Sequence, residues 1–428
     1  MFLRSIELTN FRCFEERSWR FRSQFNVLIG LNGEGKTALL DASAIAIGSL
    51  TLGIDSVPSV GIKPDDVRRI RYRENALSSE EVRLPTRVSC DLSLPSNRAG
   101  VKGGDLRFAR TLEKLRGKTD RREAKDIASY GTYLQEAVRS NAPVVLPLLA
   151  YYGTGRVWLQ KREKSAQKPG SRFRGYEDAF APAANHKLLS AWMRRAQMVA
   201  LQRNEQIPEL VAVQKAVANC LPGCAEVFFD IDDDEIVSVA KSGSVTPFHR
   251  LSDGYKNMLG TVADIAYRTA VLNPHLGANA VAQTDGVVLI DELDLHLHPS
   301  WQRNVVADLK RTFPRIQFVV TTHSPFIIQS LHADELIPLS GERPGPYVDR
   351  GIEEIAEEVM GVDTPHRSAV YLEKEKAAED YVAILREGAD TKDPTVRARL
   401  FGLAKNFSDD PSFGALLQLA NDGQASKK

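Results

Sequence analysis

A chain of 428 residues with 43% hydrophobic and 26% charged residues has the composition of a soluble globular protein with room for two or three domains, which excludes a disordered or fibrous one. Its 56 Lys and Arg against 55 Asp and Glu leave a net charge of +1, so a polyanion could be recognised only by a local patch. The cysteines Cys13, Cys90, Cys220 and Cys224 lack zinc-finger spacing, Arg4 and Glu7 interrupt any signal-like start, and no apolar run reaches the ~18 residues that span a membrane; a reducing cytoplasm is expected.

Residues 1–30 predict three strands. Ile6 and Leu8 alternate with polar neighbours, Trp19 and Phe21 do the same, and Phe25-Asn26-Val27-Leu28-Ile29 is a short buried run. Gly30-Leu31-Asn32-Gly33-Glu34-Gly35-Lys36-Thr37 follows directly, and Thr37 to Ile47 is rich in helix formers without Gly or Pro. Strands are expected near Arg87–Leu92 and Leu106–Leu112, a charged helix near Arg121–Ser140, and an apolar strand over Val144–Tyr151. The basic stretch 153–171 reads as an exposed loop, either a solvated linker or a contact for nucleotide or nucleic acid.

Further on, helices are predicted over His186–Arg203 and Pro208–Cys220, and strands over Ala225–Asp230 and Ile236–Ala240. Leu251-Ser252-Asp253-Gly254 precedes a helix Tyr255–Leu272; a strand Gly286–Ile290, a helix Pro299–Thr312 and a strand Ile316–Thr321 come next. Beyond Leu339 the turn-rich GERPGP leads into a polar, mostly helical tail. Strands alternating with helices predict an α/β fold built on a parallel sheet, with no heptad repeat for a coiled coil.

The chemistry concentrates at three strand ends. The Gly-rich loop matches G-x-x-x-x-G-K-[ST]: backbone N–H groups over Asn32, Gly33, Glu34, Gly35, Lys36, Thr37 and Ala38 would cradle the phosphates of ATP, Lys36 would reach the β- and γ-phosphates, and the Thr37 hydroxyl would ligate Mg2+. Val287-Val288-Leu289-Ile290-Asp291-Glu292 is an apolar strand ending in two carboxylates, which would put Asp291 near Mg2+ and Glu292 near an attacking water. Phe318-Val319-Val320-Thr321-Thr322-His323 is a third, whose His323 is either a structural hydrogen-bonder or a catalytic group. The alternate His296 and His298 read as packing and capping groups rather than metal ligands.

In this order the phosphate loop, Leu251-Ser252-Asp253-Gly254, Asp291-Glu292 and His323 resemble the motif series of the ABC-type ATPases, and Asn10-Phe11-Arg12 resembles the RecF, SMC and OLD branch over roughly residues 1–335. The resemblance implies an ABC-type ATPase head over 1–340 (lobe I about 1–155, basic loop about 156–185, lobe II about 186–340) with an antiparallel β lobe, and a helical partner-binding region over 341–428. It implies that Ser252 and Gly254 bind the γ-phosphate held by a second subunit in a head-to-tail dimer, that Arg12 approaches the phosphates, that Asp294 lies in the dimer-facing loop, and that His323 is the switch histidine. No glutamine-loop residue stands out; Gln160 is the nearest. Coiled-coil arms and an acidic nuclease cluster are both missing, since Glu373, Glu375, Glu379 and Asp380 run together with Lys374 and Lys376 as a solvated helix face would.

Tyr152-Gly153-Thr154-Gly155-Arg156, Gly175-Tyr176-Glu177-Asp178 and Asp294-Leu295-His296-Leu297-His298-Pro299 resemble the short ATPases of Septu and retron anti-phage systems, which implies a defence role beside a separate HNH nuclease. Two other readings stay open. One is a RecF-like repair clamp that binds double-stranded DNA, through Arg156, Lys161, Arg162 and Lys164; the other is a nucleotide-gated scaffold with negligible turnover.

Overall fold

The alternation at the N-terminus folds as β1 (Phe2–Phe11) and β2 (Phe14–Arg20), and the buried run as β3 (Phe25–Ile29), which feeds α1 (Lys36–Gly48) through the phosphate loop. The computed structural model describes residues 1–55, 57–74, 77–95, 104–157, 171–181, 186–339, 347, 349–365, 367–386 and 393–405. A hairpin of β4 (Arg69–Glu74) and β5 (Leu77–Val82) was not expected. Its charged strands hide the period-two signal, and Arg69 and Arg71 face Glu80 across it.

With β6 (Thr86–Leu94) and β7 (Gly104–Leu112), the first two strands make an antiparallel sheet of order β2-β1-β6-β7. Ile6 pairs with Cys90, Leu8 with Val88 and Cys90 with Phe108, so one face of this sheet is a buried apolar row. Each such side chain stabilises the fold by roughly 1.5–3 kcal/mol. The charged helix is α2 (Lys125–Arg139), whose Ile127, Tyr130 and Leu134 form one buried stripe.

The second sheet is parallel, of order β14-β3-β13-β12-β8, built from β8 (Leu148–Tyr152), β12 (Gly286–Ile290), β13 (Ile316–Thr321) and β14 (Leu336–Pro338) around β3. Strands β3, β8, β12 and β13 are buried throughout, as a sheet covered on both faces requires. β8 starts later than the expected Val144 because Pro147 has no N–H to give to a ladder, and the Leu146 N–H goes to the Asn273 side chain. Because the strands are parallel, the chain leaves β3, β12 and β13 at one edge of the sheet, and the three chemical segments are delivered there together.

Between β8 and β12 lie α3 (His186–Arg203), α4 (Pro208–Cys220), an antiparallel sheet of β9 (Cys224–Asp230), β10 (Glu235–Ala240) and β11 (Val245–Pro247), α5 (Asp253–Leu272) and the short α6 (Ala280–Gln283). The helix expected over Pro299–Thr312 is two, α7 (Pro299–Gln302) and α8 (Val305–Thr312). At the break the Asn304 N–H reaches only Trp301 O and its side chain bonds back to Ser300 O, the local competition that makes Asn a poor helix interior. A short α9 (Pro325–Gln329) follows β13.

Contact density divides the chain into two units, Met1–Ile355 and Ala356–Lys428. Past β14 come α10 (Ile352–Met360), α11 (Ala369–Arg386) and α12 (Pro394–Lys405). In the second unit Ala377 and Ala378 of α11 are buried with Tyr381, Leu403 and Ala404 against them. Among the described residues no helix is long and apolar enough to cross a membrane.

Candidate functional site

The phosphate loop owes its shape to two glycines in left-handed conformations, Gly33 at φ 87° and Gly35 at φ 102°. A Cβ on Gly35 would stand 2.5 Å from Cys13 Sγ and 2.6 Å from Phe14 Cζ, so the β1–β2 turn packs flush on the loop. Lys36 is only 8% exposed, and its Nζ donates to Gly30 O at 2.7 Å and Leu31 O at 3.1 Å. Burial pulls its pKa below the usual lysine value, while Glu34, Asp291, Glu292 and Asp294 pull it back up. Four carboxylates thus gather around one ammonium.

Next to it, the Thr37 hydroxyl donates to Asp291 Oδ2 at 2.9 Å, joining the start of α1 to the end of β12. Asp291 Oδ1 accepts the Thr321 hydroxyl at 2.6 Å, and the same hydroxyl accepts the Glu292 N–H at 2.7 Å. One threonine of β13 therefore fixes both acidic residues that follow β12. Glu292 adopts φ 51°, a left-handed conformation that costs a residue with a Cβ roughly 1–3 kcal/mol and is tolerated where the surroundings enforce it. Its N–H bond and that of Leu293 to Thr321 O supply the enforcement. Asp294 Oδ1 accepts the Thr322 hydroxyl at 2.6 Å and the His323 N–H at 3.1 Å, which brings half-buried His323 into the same cluster.

Two hard oxygen donors, the Thr37 hydroxyl and Asp291 carboxylate, lie together where phosphates would approach, a donor set that suits Mg2+. Among the described residues no three His, Cys, Asp or Glu side chains form a metal cage. A magnesium ion held by few protein oxygens and by substrate phosphates needs none.

Arg12 stands at the end of β1 with φ 48° and donates its own N–H to Asp66 O at 2.8 Å. Its guanidinium meets Asp66 Oδ1 at 2.7 Å and Asp41 Oδ2 of α1 at 2.7 Å, and Asp41 also bonds the Tyr151 hydroxyl of β8. Burial draws the Arg12 pKa down, and the two carboxylates more than reverse it. Arg12 is thereby tied to the phosphate-loop helix through Asp41.

Ser252 is the exposed N-cap of α5 and accepts the Tyr255 N–H at 3.5 Å. A Cβ on Gly254 would stand 2.3 Å from His296 O, and Asn257 Nδ2 donates to Leu295 O at 2.7 Å. The start of α5 is thus seated on the loop that follows Glu292. At its other end α5 holds a buried ionic cluster: Arg268 Nε and the Tyr152 hydroxyl each bond Asp264 Oδ2 at 2.7 Å, and Arg268 NH1 donates to Gly175 O and Glu177 O. Burial and Asp264 push the Tyr152 hydroxyl far above its ordinary pKa, and the Tyr152 carbonyl accepts the Asp291 N–H at 2.8 Å. The Tyr152-Gly153 and Gly175-Tyr176-Glu177-Asp178 segments are therefore joined through α5.

Of the residues picked from sequence, Lys36, Thr37, Asp291, Glu292, Asp294 and His323 come together; Arg12 after β1 is joined to α1 through Asp41, and Ser252 and Gly254 at the start of α5 pack on the loop after Glu292. Gln160, Lys161, Arg162 and Lys164 fall outside the described residues. His298 Nδ1 accepts the Ser300 N–H and so caps α7, and the four cysteines are free, with Cys220 bonded to Thr312. Sequence reasoning did not single out Thr321, Thr322 or Asp41, nor the Asp264–Arg268 pair.

Phosphate loop, strand-end acids and a parallel sheet that gathers them define a P-loop ATPase of the ABC type, with no coiled-coil arm among the described residues. The chain belongs to the AAA-domain family, whose model matches residues 5–224, and a second AAA-domain model matches residues 227–329. It is 24% identical to the retron Vc95 probable ATPase of Vibrio cholerae serotype O1 biovar El Tor, over 78% of this chain and 72% of that protein. It is 34% identical to the Septu protein PtuA of Bacillus thuringiensis, over 39% of this chain and 46% of that protein. A solved SMC head bound to the C-terminal winged-helix domain of ScpA superposes over 80% of this chain and 96% of that one, at 16% identity and a TM-score of 0.47.

Proposed function

We propose that this chain is the ATP-hydrolysing subunit of a bacterial anti-phage defence complex, in which ATP-dependent head-to-tail pairing of two copies controls a separate nuclease of HNH type. The single observation carrying the catalytic part is the Thr321 hydroxyl, which holds Asp291 against Thr37 and at the same time fixes the backbone of Glu292.

In this reading Lys36 and the N–H groups of residues 32–38 bind the β- and γ-phosphates, and Thr37 and Asp291 hold Mg2+. A cation held by these two groups would supply neutralisation of the phosphate charge. Glu292 accepts a proton from water as the water oxygen bonds to the γ-phosphorus and the bond to the ADP oxygen breaks, leaving ADP and phosphate. His323 sits beside Asp294 to report on the γ-phosphate, and Ser252 and Gly254 offer the start of α5 to the nucleotide of the other copy. Arg12, through Asp41, positions α1 from the phosphate side.

The defence role rests on the likeness to the retron and Septu proteins, and the nuclease on the lack of a nuclease-like acid cluster among the described residues. Residues beyond about 340 are the region assigned to the partner, and the setting is the cytoplasm.

Glu292→Gln tests the mechanism. It keeps the size and the Thr321 contact of the backbone but cannot take the proton, so ATP turnover should fall by about two orders of magnitude while ATP-bound dimers accumulate in size-exclusion chromatography. Turnover equal to the parent would end the assignment. Co-purification of a nuclease by the intact chain but not by one ending at residue 340 tests the partner region.

A further inference from the structure

The phosphate loop carries an acid that its motif does not require. Glu34 occupies a variable position, yet its Oε2 accepts the Leu31 N–H at 2.8 Å and its own N–H donates to Leu31 O at 3.3 Å. A Cβ on Gly30 would stand 2.3 Å from that same Oε2, so the carboxylate lies against Gly30 in room that only glycine leaves.

The opposite side of this peptide is held too. Lys36 Nζ takes Gly30 O, and in a trans peptide the carbonyl and the following N–H point in opposite directions. Lys36 and Glu34 therefore grip the Gly30–Leu31 peptide from its two edges, with the carboxylate on the edge turned from the ammonium. Among the described residues the loop tip is otherwise open, apart from the Cys13 thiol 3.7 Å from Glu34 O. Leu31 is 50% exposed, and a Cβ on Gly33 would meet nothing within 4 Å.

With a nucleotide bound the three donors of Lys36 would be shared between these two carbonyls and the phosphates, and a loop with three glycines has much conformational freedom to regain. Resting on the nucleotide-binding reading of this loop, we propose that the Glu34 side chain is a positioning residue that braces the back of the phosphate loop and keeps residues 30–34 cradle-shaped while Lys36 engages the nucleotide. A bond from an N–H to a carboxylate is of the stronger kind, and here it holds the stretch where Leu31 is exposed and Gly33 meets nothing.

Titration of the full-length chain with a fluorescent ADP analogue, together with steady-state ATP turnover, tests the brace. Glu34→Gln keeps an oxygen at the same reach but without its charge, so it should weaken ADP only about threefold. Glu34→Ala has no acceptor and Glu34→Asp is one methylene short, so both should weaken ADP about tenfold and raise KM alike with kcat nearly unchanged, the size expected for one charge-assisted bond. Nucleotide-free melting temperatures that stay together would separate this loss from unfolding, and if Glu34→Ala melts early the Gln and Asp variants decide. Parent-like affinity in Glu34→Asp, or Gln as weak as Asp, overturns the brace. Lys36→Ala is the control on the underlying reading: if it binds ADP like the parent, the loop is not the nucleotide site and both ideas fall, whereas loss there with unaffected Glu34 variants removes the brace alone.

Discussion

The two halves of the candidate site are built on different principles. At the ends of β12 and β13, the acidic residues are held by side chains that are themselves buried: Thr321 and Thr322 are at most 2% exposed, and they fix the carboxylates of Asp291 and Asp294 and the backbone of Glu292 through bonds of 2.6–2.7 Å. At the start of α5, Ser252 is exposed and caps its own helix, and the segment keeps its place through backbone contact with the 292–298 loop. The bonds of the first half all lie within one chain. The second presents a helix start to solvent, as a surface waiting for another molecule's anion would. Buried polar networks specify geometry because a missing partner is costly, so under the proposed mechanism the chemistry belongs to the first half and the condition for it to the second.

Breaking the link between the halves should have the largest effect. Arg268→Met removes the partner of Asp264, whose Oδ1 already has no hydrogen bond, and leaves a buried carboxylate that also holds Tyr152. Losing one member of a buried pair costs about 3–5 kcal/mol, which urea denaturation monitored by circular dichroism would read. Stability within 1 kcal/mol of the parent would mean that Tyr152 alone suffices and that the halves are not joined through this cluster.

Gly254→Ala comes next. The new Cβ must displace His296 O, 2.3 Å away, and with it the loop that carries Glu292 and Asp294. Turnover should drop roughly tenfold to a hundredfold, as misplacement of a catalytic group does, while ADP affinity of the isolated subunit stays near the parent's. An equal loss of both would show that α5 supports the phosphate loop itself. Thr321→Val is smaller in stability, about 1–3 kcal/mol, because it removes a hydroxyl that both donates and accepts yet keeps the β-branched shape of the strand. Its turnover should fall further than its stability accounts for.

These contrasts also explain what could be read from the chain. The loop residues 30–37, Asp291 and Glu292 were legible because their chemistry demands fixed residue types at fixed spacing beside recognisable strands. Thr321 was not, because a threonine ending a buried run looks the same whether its hydroxyl is idle or holds two acids. Asp41 and Asp264 were hidden for a similar reason: each sits in a helix, and only the fold reveals Arg12 or Tyr152 beside it. Most elements were placed within a few residues, since apolar periodicity sets them. The β4–β5 hairpin was missed because its two short strands carry few apolar residues, and the break between α7 and α8 because one Asn side chain decides it.

Ser252→Ala is the mildest change and the most informative about the exposed half. As an N-cap the hydroxyl is worth about 1 kcal/mol to α5, a loss that leaves a protein of this size folded. If Ser252 serves only its own helix, turnover should follow that small loss at every protein concentration. If it faces the nucleotide of a second copy, dilute subunits should bind ADP as the parent does, while the rise of specific activity with concentration that marks productive pairing is lost. Measuring specific activity over about a hundredfold range of concentration, parent beside variant, separates the two, because only a group acting across an interface links its effect to mass action.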